Sequence, residues 1–325
     1  IDQRKEIEHM KTIGIGIQDF AKIADKNMFY IDKTAFLKEW WENQDSVTLI
    51  TRPRRFGKTL LMSMTDYFFS VNHSDCKKYF EGLDIWKEEK FRELQGTYPV
   101  IFMSFADIKG STYEKTRMGI IHKITKLYTD FEFLKRTGVL SGRDLEFYDS
   151  VSVDMGDDVA GIAIQYMCDY LRRYYGKNAL VLLDEYDTPL QEAYVNDYWK
   201  ELADFIRSLF NSTFKTNPYL ERGLLTGITR VSKESIFSDL NNLEVVTTTS
   251  EKYSTSFGFT EKEVFQVLEN NGLSSEKENI RYWYDGFSFG KRKDIYNPWS
   301  ITKFIDAEGI FDTYWANTSN NKLVS

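Results

Sequence analysis

This sequence predicts a three-layer α/β fold built on a parallel sheet, and three observations carry that expectation. Short apolar runs alternate with segments of helical period along most of the chain. One run, "ALVLL" at residues 179–183, is apolar at every position, as in a central strand covered on both faces. The last 70 or so residues then change character, which sets a small lobe apart from the rest.

The elements follow in order. Val47 to Thr51 reads as the first strand, and Lys58 to Ser70 as a helix with Leu61, Met64 and Phe68 on one face. Pro99 to Ser104, "PVIFMS", is a second strand. A capping box from Ser111 to Glu114 opens a helix that turns Ile120, Ile121, Ile124, Leu127 and Tyr128 to one side. A largely helical stretch continues to about Gly176, followed by the strand Ala179 to Leu183 and a further helix. Gly223 to Ile228, "GLLTGI", is the fourth strand, and "LEVVTT" near residue 246 the fifth. Beyond residue 257, Phe259 precedes a second capping box, Thr260 to Glu263, whose helix ends near Asn271 and Gly272. "YWYDGFSFGKRKDIYNPW" reads as a hairpin with the Lys291 to Lys293 charge run near its tip, and Asn297 and Pro298 start another helix. The expected division is an N-terminal segment over 1–45, a core over 46–256 and a small lobe over 257–325.

Composition narrows the classes of function. No apolar run reaches bilayer length, and the first residues lack the apolar stretch of a secretory signal, so no membrane role is expected. Cys76 and Cys168 are the only cysteines, with His9, His73 and His122 the only histidines. No CxxC or HExxH spacing results, and a reducing cytoplasm is the expected setting. A net charge of -7 gives the whole chain no electrostatic footprint for duplex nucleic acid. Aromatics make up 16% of the chain but are not interleaved with Lys or Arg, and read as core.

The chemistry lies in "LITRPRRFGKTLLMS", residues 49 to 63. A loop that holds polyphosphate must turn several backbone N–H groups onto one anion and lead into a helix whose positive end faces it. Here a strand ends at Thr51, and Lys58 and Thr59 open a helix after Gly57. Lys58 is placed to neutralise the outer phosphates and Thr59 to hold magnesium. Arg52 stands where the opening glycine of GxxxxGK[ST] belongs. Arg54 and Arg55 are placed either to contact phosphate or to pair with acids of the small lobe.

Such a loop needs partners on neighbouring strands. "ALVLLDEYD" supplies Asp184 for the metal and Glu185 to polarise an attacking water. Asp187 either orients the loop or meets a more distant water. "LLTGITR" puts Arg230 just past the carboxyl end of a strand, where ligands gather in parallel sheets, as a sensor of the γ-phosphate. Arg222 precedes the same strand and should lie at the opposite edge, with a structural role.

Eight blocks, "IGIQDFAKI", "FYIDKT", "RPRRFGKTLLMS", "LLDEYDTPL", "LTGITRVSKESIFSDLNNL", "FGFTEKEV", "WYDGF" and "IYNPWSI", occur in an order that resembles the bacterial AAA-ATPase-like proteins. The resemblance runs from about Ile13 to residue 319. It implies a P-loop ATPase core related to the signal-transduction ATPases, with Arg52 a variant shared by nearer relatives. It also implies an N-terminal segment packing on the base, for which Ile17, Phe20 and Tyr30 stand in position. Longer relatives continue into a domain similar to PD-(D/E)XK nucleases, whose constellation is not seen here after residue 260.

The resulting expectation is an ATP- and Mg2+-dependent switch. Phosphates would be cradled by Arg54, Arg55, Phe56, Gly57 and Lys58, with Thr59 and Leu60 in the first helical turn. Thr59 and Asp184 would hold the metal, and the small lobe would close as a lid. Two rivals are a nucleotide-binding module that does not hydrolyse, and a nucleic-acid-processing factor using the hairpin of residues 281–299. The protein partner is left open.

Overall fold

The computed structural model describes residues 11–229, 236–237 and 239–314. Among them, five strands form the main sheet: β1 (Val47–Thr51), β2 (Val100–Ser104), β3 (Ala179–Asp184), β4 (Leu220–Gly227) and β5 (Leu243–Val246). Their order is β2-β3-β4-β1-β5, with every pairing parallel. Helices make the connections. They are α1 (Phe20–Asp25) and α2 (Ala35–Asn43) before β1, then α3 (Lys58–Phe69) and α4 (Glu89–Leu94) before β2. α5 (Tyr113–Asp130), α6 (Gly142–Ser150) and α7 (Asp157–Tyr175) lead to β3, and α8 (Thr188–Val195) and α9 (Trp199–Phe210) to β4.

The period-2 alternation of a strand explains why there are three layers. Val47, Leu49, Val181 and Leu183 point into a cluster with α5, α7 and α9. Ile50, Leu180, Leu182 and Leu224 point the other way, onto Phe36 and Trp40 of α2 and Met62, Met64 and Phe68 of α3. Both faces of β1 and β3 are therefore apolar, and both strands are buried throughout. β4 starts three residues before the expected Gly223, because its first turn of sequence, "LER", is half-polar and hides the strand from an apolar-run reading.

The C-terminal elements build a smaller antiparallel sheet, β6 (Phe259–Thr260), β7 (Phe287–Phe289) and β8 (Arg292–Tyr296), in the order β6-β8-β7. α10 (Glu261–Asn270), α11 (Lys277–Tyr284) and α12 (Pro298–Asp306) pack with it around Val264, Leu268, Ile280, Tyr296, Ile301 and Phe304. Ile13, Phe29 and Ile31 from the chain's beginning pack on this same cluster. No helix among the described residues is long and apolar enough to cross a membrane.

Three local expectations need correction. The helix opens with a simple N-cap in place of the first capping box: Thr112 accepts from the Lys115 amide at 3.4 Å, and Ser111 lies one residue outside. "YWY" is helical, because Ile280 and Tyr284, four apart, face the small cluster while Tyr282 is 86% exposed. The hairpin itself spans only β7 and β8, narrower than the stretch read from sequence, with Lys291 in its turn and Arg292 and Lys293 opening β8, so the charge run does lie near the tip. By contrast Thr260 and Glu263 do form their reciprocal box, and Asn297 caps α12 by accepting from the Trp299 amide at 2.9 Å.

Gly258 joins the two sheets and has φ 76°, a left-handed backbone that side chains rarely adopt. A Cβ there would stand 2.6 Å from the Ile295 Cγ2 and 3.0 Å from the Phe56 ring. Gly258→Ala should therefore lower stability by about 2–4 kcal/mol, read from chemical denaturation midpoints; an unchanged midpoint would contradict this packing.

Candidate functional site

The site is assembled at the carboxyl edge of the main sheet. Pairing runs one residue past β1, since the Arg52 amide donates to the Gly227 carbonyl at 3.1 Å. The backbone at Arg52 asks nothing of a glycine, and the left-handed positions come later, at Arg55 (φ 68°) and Gly57 (φ 82°). Gly57 is the N-cap of α3, whose first internal bond joins the Leu61 amide to the Gly57 carbonyl at 2.9 Å. The amides of Lys58, Thr59 and Leu60 precede that bond, at the helix end that favours an anion.

Lys58 lies buried beneath the loop, where its Nζ donates to the carbonyls of Arg52 at 3.0 Å and Pro53 at 2.9 Å. Burial pulls its ammonium below the ordinary lysine value, opposed by the charges of Glu185, Asp184 and Asp187. Arg54 is exposed at the loop's crest. Arg55 instead reaches the small sheet's helix α12, with its guanidinium 3.9 Å from the Trp299 ring centroid, and Phe56 is buried.

Asp184, at the end of β3, is fully buried and joins two strands to the loop. Its Oδ2 accepts from the Thr59 hydroxyl at 2.7 Å, and its Oδ1 from the Thr226 hydroxyl of β4 at 2.5 Å. Thr226 escapes sequence reasoning because a lone threonine inside "LLTGI" looks like strand filling. Next in the chain, Glu185 is half-buried with φ 50°, and its Oε2 accepts from the Thr188 hydroxyl at 3.1 Å.

Asp187 holds the turn that follows β4. Its Oδ2 accepts from the amides of Ile228 at 3.0 Å and Thr229 at 2.8 Å, from the Thr229 hydroxyl at 2.7 Å and from the Gln191 side chain at 2.8 Å. The Tyr186 hydroxyl donates to the Thr229 carbonyl at 2.8 Å, so the turn after β4 is held from two sides. Arg230, the expected sensor, lies outside the described residues. Arg222 is at the opposite edge, donating through Nη1 to the Trp40 and Trp41 carbonyls at the end of α2.

Beside Thr59 opens a cavity of about 590 Å³, walled by residues 16–19 and Lys22, by Ser63, Asp66 and Tyr67 of α3, and by Phe102 of β2. Of the three residues placed to meet a base, Ile17 lines this cavity. Phe20 is buried, packed between Tyr30 and Phe80, because α1 lies along α3 with its apolar side inward. Tyr67 and Phe102 carried no motif that could have announced them.

A parallel sheet with this strand order, a loop that opens α3 after β1 and an acid at the end of β3 define a P-loop NTPase-like core. The chain belongs to the family described as Predicted AAA-ATPase, whose model matches residues 14–237. It is similar to an uncharacterized protein in the vnfD 5' region of Azotobacter chroococcum mcd 1, with 27% identity over 319 residues, 95% of this chain and 54% of that protein. The chain thus spans about half the length of this curated relative. No solved structure matches.

Proposed function

We propose that this chain binds ATP with Mg2+ in the loop between β1 and α3, hydrolyses it, and serves as a conformational switch. The observation that carries this reading is Asp184, which already brings together the Thr59 hydroxyl from the loop and the Thr226 hydroxyl from β4. A hydroxyl and a buried carboxylate at hydrogen-bond distance suit Mg2+, which takes oxygen ligands and keeps several of its waters. When bound, the ion would neutralise charge on the β- and γ-phosphates.

The chain's own groups then divide the work. The amides from Arg54 to Leu60 would hold phosphate oxygens, and Lys58 would turn from the Arg52 and Pro53 carbonyls to the outer phosphates. Glu185 would orient the attacking water and take its proton, and Arg230, next in the chain after the Thr229 that Asp187 holds, would meet the γ-phosphate. The cavity beside Thr59 offers room for the nucleoside against Ile17, Tyr67 and Phe102. In this reading residues 1–45 form a segment that packs on the core, 46–256 the nucleotide core and 257–325 a lid.

Single-turnover phosphate release tests the reading. With ATP and Mg2+ both bound, release in one exponential phase is expected, and its absence would leave a module that holds nucleotide without cutting it.

A further inference from the structure

Arg52 is the side chain that the nucleotide reading leaves without a task. It is fully buried, and burial pulls its guanidinium down to about 10. Its Nη1 donates to the Thr51 carbonyl at 3.0 Å, while its Nε and Nη2 have no hydrogen-bond partner among the described residues. A buried charge with two unmade bonds is costly. It is tolerated where something else holds it.

What holds it comes from the far end of the chain. The guanidinium carbon lies 4.5 Å from the centroid of Phe289 on β7 and 5.4 Å from that of Phe257, just before β6. Phe56, four residues along the loop, meets Phe287 and Phe289 edge-on at 4.8 and 5.4 Å. The hairpin is tied back in turn, its Gly290 amide donating to the Thr248 carbonyl at 2.8 Å and its Lys291 amide to the Glu251 Oε1 at 2.5 Å. The Arg52 carbonyl, on the same residue, accepts from Lys58. Backbone and side chain of this one residue therefore face the loop's lysine and the hairpin's rings.

We infer that Arg52 is a positioning residue that makes the phosphate loop and the β7–β8 hairpin one mechanical unit, so that polyphosphate in the loop sets the position of the hairpin. The inference rests on the nucleotide reading for its trigger and on packing alone for its linkage. When Lys58 turns to phosphate, the Arg52 carbonyl loses its partner and the residue shifts. The rings of Phe257 and Phe289, stacked on a planar cation that has few other bonds, follow it.

Amide hydrogen exchange on the full chain tests the linkage and the trigger separately. Without nucleotide, Arg52→Met is expected to speed exchange across residues 287–296 by about tenfold, and Phe289→Leu to do the same across residues 52–60. Loosening confined to the altered side would overturn the linkage. With MgATP, exchange across 287–296 should slow in the wild type, and Arg52→Met should confine protection to the loop. Arg52→Lys, which keeps a cation over the rings, should recover part of the hairpin response. A hairpin that responds alike in wild type and Arg52→Met, or Met and Lys variants that behave the same, would overturn the inference and reduce Arg52 to core filling. If Arg52→Met does not fold, Phe289→Leu carries both arms, because it alters the hairpin and leaves the loop's sequence intact. A wild type in which MgATP protects neither segment overturns the nucleotide reading and the trigger with it, while the nucleotide-free arm still decides the linkage.

Discussion

Lys58→Ala should weaken MgATP binding by about 3 kcal/mol, roughly a hundredfold, measured by titration calorimetry. The ammonium sits buried where a loop, a helix N-terminus and three acids converge, and no other lysine shares that position in the loop. Its removal also leaves the Arg52 and Pro53 carbonyls without their donor, so some loss of stability is expected alongside. Lys58→Met shows how much of that stability loss comes from the missing donor and not from the truncated stem, since it keeps most of the buried stem and lacks the ammonium. If Lys58→Ala binds MgATP as tightly as the wild type, the loop is not a phosphate site and the central reading fails.

Glu185→Gln should act on turnover and spare affinity. Loss of a general base slows the chemical step by about 10²–10⁴-fold, so phosphate release should fall by that amount while binding stays within a few-fold of the wild type. The amide keeps the length of the side chain and an oxygen for the Thr188 hydroxyl, which makes a purely structural effect small. A Glu185→Gln protein that releases phosphate at the wild-type rate would show that another group activates the water. The backbone at Glu185, left-handed at φ 50°, should tolerate the change because only the terminal atoms differ.

Much of the main sheet was legible in the sequence for a physical reason. Strands buried on both faces, such as Ala179–Asp184, must be apolar at nearly every position, and that pattern survives without knowing their neighbours. Lys58, Thr59, Asp184 and Glu185 were legible because the spacing of a loop, a helix start and a strand end is local. Thr226 was not, since its meaning comes from a carboxylate 42 residues away. The partners of Arg52 were equally hidden. Phe257 and Phe289 look like any other apolar residue, and only the fold brings them over a guanidinium more than 200 positions earlier. The helical character of "YWY" was masked by short, aromatic-rich sequence that suits a strand as well as a helix.

Lys33 carries a consequence for how the chain folds as it is made. Its Nζ donates to the Thr255 carbonyl at 2.9 Å and to the Glu263 carboxylate at 2.7 Å, a closure across 230 residues. Ile13, Phe29 and Ile31 flank it and belong to the cluster built by residues 264–305. During synthesis these side chains have no docking surface until residues 264–305 have emerged. Docking of residues 13–33 onto the small lobe is therefore a high-contact-order step that follows formation of the more local pairings.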